Sequence, residues 1–243
     1  MATLAGKKII VVGGSSGIGF GVAAAALESG AEVVIVGRSA DKLKAAGKRL
    51  AGAGRVTGVA ADMANEADVA RLFDTAGAFD HLAATAGTPP PNFPIVETDM
   101  AFVRQFVDSK LVGAVMLAKH AMRTLKAGGS MTFTSGINKD RPPIPGGSVV
   151  SAIAGSFSYF ARALALELAP TRVNIVSPGW VDTEMWDEIV GQAKVGYFDQ
   201  MGARIPVGRV ATPADVAPAY LYLMQNEFMT GETIHIDGGQ RLV

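Results

Sequence analysis

Short apolar, β-branched runs alternate with longer segments of helical periodicity from one end of the chain to the other. The pattern predicts strands at Lys8–Val12, Glu32–Val36, Arg55–Ala60, His81–Ala84, Ser130–Thr134, Arg172–Val176 and Thr233–Ile236. Helix-compatible segments lie between them, near Gly17–Ser29, Lys42–Ala51, Glu66–Ala76, Asp99–Lys126, Val149–Ala169 and Pro213–Met224. The strands show little apolar/polar alternation, as expected of strands buried on both faces. Repeated β-α-β units of this kind predict an α/β fold: a doubly wound, mostly parallel, seven-stranded sheet with helices on both faces.

Composition narrows the picture. A chain of 243 residues, 49% hydrophobic, fits one well-buried core and is short for two, so residues 1–243 are expected to form a single domain. Lysine plus arginine and aspartate plus glutamate stand at 22 each, which gives no pull toward nucleic acid or an anionic membrane. Cysteine is absent, and His81, His120 and His235 lie far apart, so no metal site is expected. The apolar run Ile9–Val12 is too short for a signal-peptide core or a membrane span, which makes the cytoplasm the expected location.

Three irregular stretches remain: Thr88–Pro94, Gly136–Gly147 and Asp182–Pro206. Loops that follow the carboxyl ends of strands form the binding crevice in sheets of this type. The last stretch carries Met185, Trp186, Tyr197, Phe198 and Met201, with Trp180 at its edge. It is expected to act as a lid at about 182–206 over a small hydrophobic substrate, or to use those side chains only to pack onto the body.

The sharpest motif is Gly13-Gly14-Ser15-Ser16-Gly17-Ile18-Gly19, directly after the first strand and opening the first helix. Glycines there permit a tight turn and let backbone N–H groups approach a pyrophosphate, while the helix N-terminus adds a favourable dipole. In this strand–turn–helix context the motif indicates a Rossmann-type dinucleotide site. About twenty residues on, where an NAD-selective site places a carboxylate for the ribose 2′-hydroxyl, the chain has Gly37-Arg38-Ser39. A guanidinium can pair bidentately with a 2′-phosphate, with Ser39 and Ser16 as added donors, so NADP(H) is the expected cofactor. Asp62, at the end of the third strand beside Met63, is placed to accept from the adenine amino group, or else to cap the Ala64–Ala76 helix.

These motifs resemble the short-chain dehydrogenase/reductase family along the whole chain. Gly13-x-x-x-Gly17-Ile18-Gly19 is similar to the family's glycine loop, with Val12 where threonine is usual. Leu82-Ala83-Ala84-Thr85-Ala86-Gly87 resembles the segment ending the fourth strand, with both usual asparagines replaced. Asn174-Ile175-Val176-Ser177-Pro178-Gly179, followed by Val181-Asp182-Thr183, resembles the sixth-strand motif. Pro206-Val207-Gly208-Arg209, Pro213-Ala214-Asp215-Val216-Ala217 and Ile236-Asp237-Gly238-Gly239 match the C-terminal part. The resemblance implies that Gly13, Ser15, Ser16, Gly17, Ile18, Gly19, Arg38, Ser39, Asp62, Met63, Ala86 and Gly87 bind the cofactor. It extends this role to Pro178, Gly179, Val181 and Thr183 at the nicotinamide end. It also implies a homotetramer or homodimer.

The family's chemistry uses a Tyr-x-x-x-Lys pair, a serine and an asparagine. No Tyr-x-x-x-Lys occurs in this sequence: four residues beyond Tyr159, Tyr197, Tyr220 and Tyr222 stand Ala163, Met201, Met224 and Asn226. Alignment from Ala163–Pro170 places Val150 at the tyrosine position and Ala154 at the lysine position, while Lys110 falls at the asparagine. Ser135 remains the counterpart of the serine. Loss of a general acid removes help of roughly a hundred- to ten-thousand-fold. Lys110 is a candidate replacement, with a pKa that partial burial would lower, and Tyr197 is a second if the lid brings it in. Two readings follow. One is a short-chain-type oxidoreductase reducing a hydrophobic carbonyl-type substrate with atypical proton delivery. The other is a non-catalytic NADP(H)-binding sensor or scaffold. A weaker third is a non-redox lyase or isomerase in the same pocket.

Overall fold

The computed structural model describes residues 1–88 and 92–243; residues 89–91 of the expected Thr88–Pro94 loop lie outside the described residues. Seven strands form one all-parallel sheet: β1 Lys8–Val12, β2 Glu32–Gly37, β3 Val56–Ala60, β4 Phe79–Ala84, β5 Leu125–Thr134, β6 Arg172–Pro178 and β7 Thr233–Ile236. Their order across the sheet is β3-β2-β1-β4-β5-β6-β7. Successive strands step outward from β1 on one side and then, from β4, on the other. The direction therefore reverses between β1 and β4, which opens a crevice beyond their carboxyl ends.

Successive strand residues supply two cores, one on each face. Ile10, Val12, Val34 and Val36 join one core with Phe73, Leu117 and Phe157, which come from α3 Glu66–Ala76, α5 Gly113–Ala121 and α6 Ser148–Glu167. Ile9, Val11, Val33 and Ile35 join the other with Val22, Leu43 and Tyr220, from α1 Gly17–Glu28, α2 Ala40–Leu50 and α9 Pro213–Gln225. Each such fully buried branched side chain contributes about 1.5–3 kcal/mol relative to exposure, which fixes the sheet from both sides.

Three expectations change. The segment read as one helix over Asp99–Lys126 is α4 Met100–Val107, a π-helical turn at Asp108–Val112 and then α5. β5 begins at Leu125, five residues before the expected Ser130, and its register on β4 shifts between Phe79 and His81. Asp182–Pro206 is not irregular throughout but folds into two short helices, α7 Met185–Val190 and α8 Lys194–Gly202.

Candidate active site

β1 delivers the chain into Gly13, whose φ of +86° suits glycine. A Cβ there would stand 2.7 Å from both Ala86 N and Thr85 Oγ1. A Cβ on Gly19 would collide with the Gly13 carbonyl oxygen and lie 2.5 Å from Thr85 Oγ1. The two glycines thus let the loop, the first turn of α1 and the end of β4 close on one another, a contact Thr85 ties by donating to Val12 O at 2.8 Å. Ser16, the N-cap of α1, makes no capping bond with its side chain. Backbone donors without intrahelical acceptors therefore converge where the helix dipole is positive.

A cleft of about 350 Å³ runs along this loop. It is lined by Gly13, Ser15, Ser16, Gly17, Ile18 and Gly19, then by Arg38, Ser39, Asp62 and Met63, and at its far end by Ala86, Gly87 and Thr183. Pro178, Gly179 and Val181, also expected here, are not among its lining residues. Pro178 closes β6 against Ile236, and a Cβ on Gly179 would stand 2.8 Å from Gln240 Oε1. Val181 is buried and bridged to Ala211.

The cleft also includes residues the sequence reading did not assign. Lys42, in the first turn of α2, adds a second cation to the lining beside Arg38. Ser39 Oγ accepts from Lys42 N at 3.2 Å and so caps α2 while keeping its own proton. Asp62 accepts from Ala64 N at 2.9 Å, but the cap of α3 is Asn65, which accepts from Asp68 N. Glu184, in the loop before α7, accepts from Gly17 N at 2.9 Å.

Beside Ala86 and Gly87, the π-helical turn carries Ser109 to the cleft and sets Lys110 behind Gly87. Thr88 and Ser109 hydroxyls lie 2.9 Å apart, and Ser109 donates to Phe106 O. Lys110 is half-buried, and its side chain lies over Gly87. Desolvation lowers its ammonium from the ordinary value of 10.5 to about 8. Ser135, directly after β5, donates from Oγ to Ala154 O in α6 at 2.7 Å. Val150 is buried, and Ser151 donates to Asn138 O at 2.6 Å.

The remaining candidates are engaged elsewhere. Lys139 Nζ sits 2.7 Å from Asp140 Oδ2 and 2.8 Å from His235 Nε2. Burial, then Lys139 and Arg241, lowers the His235 pKa against the opposing pull of Asp140 and Asp237. Tyr197 packs on Trp186 with ring centroids 5.6 Å apart and does not line the cleft. The Trp186, Tyr197 and Phe198 rings pack among themselves, and Lys194 holds both Asp182 and Asp187, at 2.7 and 2.9 Å.

Comparison with known proteins gives the family and agrees with the fold. A family described as enoyl-(acyl carrier protein) reductase matches residues 12–241. The short-chain dehydrogenase/reductase fsr5 of Gibberella fujikuroi is 30% identical, covering 100% of this chain and 97% of that protein. The short-chain dehydrogenase/reductase ATR9 of Stachybotrys chlorohalonatus is 34% identical, covering 98% of each. Among solved structures, the MalC reductase/Diels-Alderase of Malbranchea aurantiaca superposes with a TM-score of 0.93 at 29% identity, over 99% of this chain and 98% of its own. A small-chain dehydrogenase in complex with NADPH superposes with a TM-score of 0.83 at 34% identity, over 98% and 100%. The chain belongs to the short-chain dehydrogenase/reductase family of NAD(P)-dependent oxidoreductases.

Proposed function

We propose that this protein is an NADPH-dependent reductase of a small hydrophobic carbonyl-type substrate, with Lys110 as the proton donor. The observation that carries the reading is the position of Lys110: half-buried and lying against Gly87, a lining residue of the same cleft that bears Arg38 and Lys42.

The cleft fits a dinucleotide. Its glycines leave room that a single Cβ would fill, its backbone donors converge on an anion position, and two cations stand at the ribose end. The solved relative in complex with NADPH supports the same cofactor. In this reading the glycine loop and Ser16 hold the pyrophosphate, Arg38, Ser39 and Lys42 hold the 2′-phosphate, and Asp62 with Met63 flanks the adenine. Ala86, Gly87 and Thr183 border the nicotinamide. NADPH supplies a hydride when bound. The protein's part is to bind the carbonyl compound and to give its oxygen a proton, which the Lys110 ammonium does as the C=O π bond breaks and an alcohol forms. Ser135, which donates to Ala154 O in this structure, orients the substrate by turning that proton to the carbonyl oxygen. Segment 182–206 acts as the substrate lid, with Tyr197 one of its packing residues. Exposed Phe93, Ile95 and Ile144 beside the crevice loops support an apolar substrate.

A second reading has one specific observation behind it: the structural neighbour described as a reductase/Diels-Alderase. A cycloaddition transfers neither proton nor hydride, so it makes no demand on a proton donor at Val150 or Ala154. Assembly into a homodimer or homotetramer is supported by α6, which is apolar along its length yet exposes Tyr159 and Leu166.

The deciding experiment follows NADPH oxidation across a panel of hydrophobic ketones, aldehydes and quinones, for the wild type and Lys110→Met. Turnover in the wild type that falls at least about a hundredfold in the variant, with NADPH affinity unchanged, supports the reading. Equal turnover in both removes Lys110 from the chemistry.

A further inference from the structure

The amide of Gly17 is the first N–H of α1, one of the donors that the helix itself leaves without an acceptor. In the proposed reading this is where the cofactor's pyrophosphate sits, since an anion there gains both the N–H groups and the helix dipole. The structure gives that amide a partner already: Glu184 Oε2, at 2.9 Å, from a residue 167 positions away in sequence.

The contact is built from the lid side. Thr183 packs against Gly17, where a Cβ would lie 3.1 Å from Thr183 Cγ2 and 3.7 Å from Glu184 Oε2. Lys194 neutralises the flanking carboxylates, bonding Asp182 at 2.7 Å and Asp187 at 2.9 Å, and it also donates to Thr183 O at 3.2 Å. The one cation of this turn is thus spent on Glu184's neighbours, and Glu184 itself is turned to the glycine loop. Its carboxylate lines the cleft beside Ser15 and Ser16.

A pyrophosphate carries negative charge into the same place. Carboxylate and phosphate cannot share one N–H, and like charges about 4 Å apart repel even in water. We infer that Glu184 is a built-in competitor of the cofactor: its carboxylate holds the pyrophosphate position on Gly17, and binding of NADPH displaces it together with the start of α7. The inference rests on the cofactor reading above. It assigns to Glu184 a role in setting cofactor affinity and exchange, not in the chemical step.

The test measures binding of NADPH, by its own fluorescence, to the wild type, Glu184→Gln and Glu184→Ala. Adenosine 2′-phosphate, which has the 2′-phosphate but no pyrophosphate, serves as the control ligand. Removal of the competing charge tightens NADPH binding about five- to tenfold in both variants and slows its release, while adenosine 2′-phosphate binds all three proteins equally. Unchanged or weaker NADPH binding in the variants overturns the inference and makes Glu184 a clamp that stays in place. Equal tightening of both ligands also overturns it, since the effect is then not at the pyrophosphate. Failure of every protein to bind NADPH overturns the cofactor reading along with it.

Discussion

The side chain of Lys110 lies against Gly87 so closely that a Cβ on the glycine would stand 2.7 Å from the lysine Nζ and collide with its Cε. The glycine at the end of β4 and the π-helical turn after α4 therefore set the position of the ammonium together. Gly87→Ala separates position from presence. The atoms in conflict are the far end of a flexible side chain, so the protein folds with a stability change under about 1 kcal/mol. Lys110 then swings toward water. Reduction slows at least about tenfold, and thermal unfolding shows a Tm close to wild type. Full activity in this variant would mean that the lysine need not lie where the structure has it.

The pH dependence of turnover follows from the same lysine. Its folded-state pKa is lowered to about 8 by desolvation. As the acid in a reduction, Lys110 is competent when protonated, so kcat is level at lower pH and falls as pH rises through about 8. Gly87→Ala, by rehydrating the ammonium, moves this limb upward toward the ordinary lysine value. A kcat profile flat from pH 6 to pH 10 would exclude Lys110 as the donor whose protonation limits the rate.

The sheet and the glycine loop were legible in sequence because both are local. Ile9–Val12 and Val33–Val36 are unbroken β-branched runs, which only a strand buried on both faces accommodates, and Gly13–Gly19 follows the first directly. The π-helical turn at Asp108–Val112 left no such mark. Apolar periodicity runs through it, and the widened turn adds no residue type that signals its presence. The start of β5 was hidden because Leu125 and Lys126 fell within the segment read as helical, with Gly128-Gly129 between them and Ser130. Likewise α7 and α8 depend on contacts distant along the chain: Trp186 with Tyr197 and Phe198, and Lys194 with Asp182. Glu184 is the clearest case, a carboxylate whose partner lies at the other end of the sequence.

Two glycines predict opposite outcomes for one substitution. Gly19→Ala places a methyl group into the Gly13 carbonyl oxygen, where only backbone movement relieves the clash. It destabilises the fold by about 2–4 kcal/mol and opens the phosphate loop, so NADPH binding is lost. Gly47, within α2, has nothing within 4 Å of its Cβ position and no positive φ. Gly47→Ala stabilises by about 0.5–1 kcal/mol through helix propensity and leaves NADPH binding unchanged. Urea unfolding of the two variants measures both; a loss of stability in each would show that α2 does not tolerate a side chain there.

In the proposed function, selectivity for the 2′-phosphate rests on Arg38 and Lys42, which line the cleft from exposed positions. A hydrogen bond to a charged group is worth about 1.5–3 kcal/mol where solvent is excluded, and exposure reduces that figure. Arg38→Ala therefore weakens NADPH binding about tenfold and leaves NADH binding within about twofold. Lys42→Ala does the same to a smaller degree, because an ammonium acts as a point charge and lacks the planar fork that matches a phosphate. Both losses shrink as ionic strength rises, since screening weakens the wild-type interaction that each variant lacks. Dissociation constants for NADPH and NADH at low and high salt decide the matter. Equal losses for the two nucleotides would place the cations on a part of the cofactor that both share, and the assignment of the 2′-phosphate to this edge would fall.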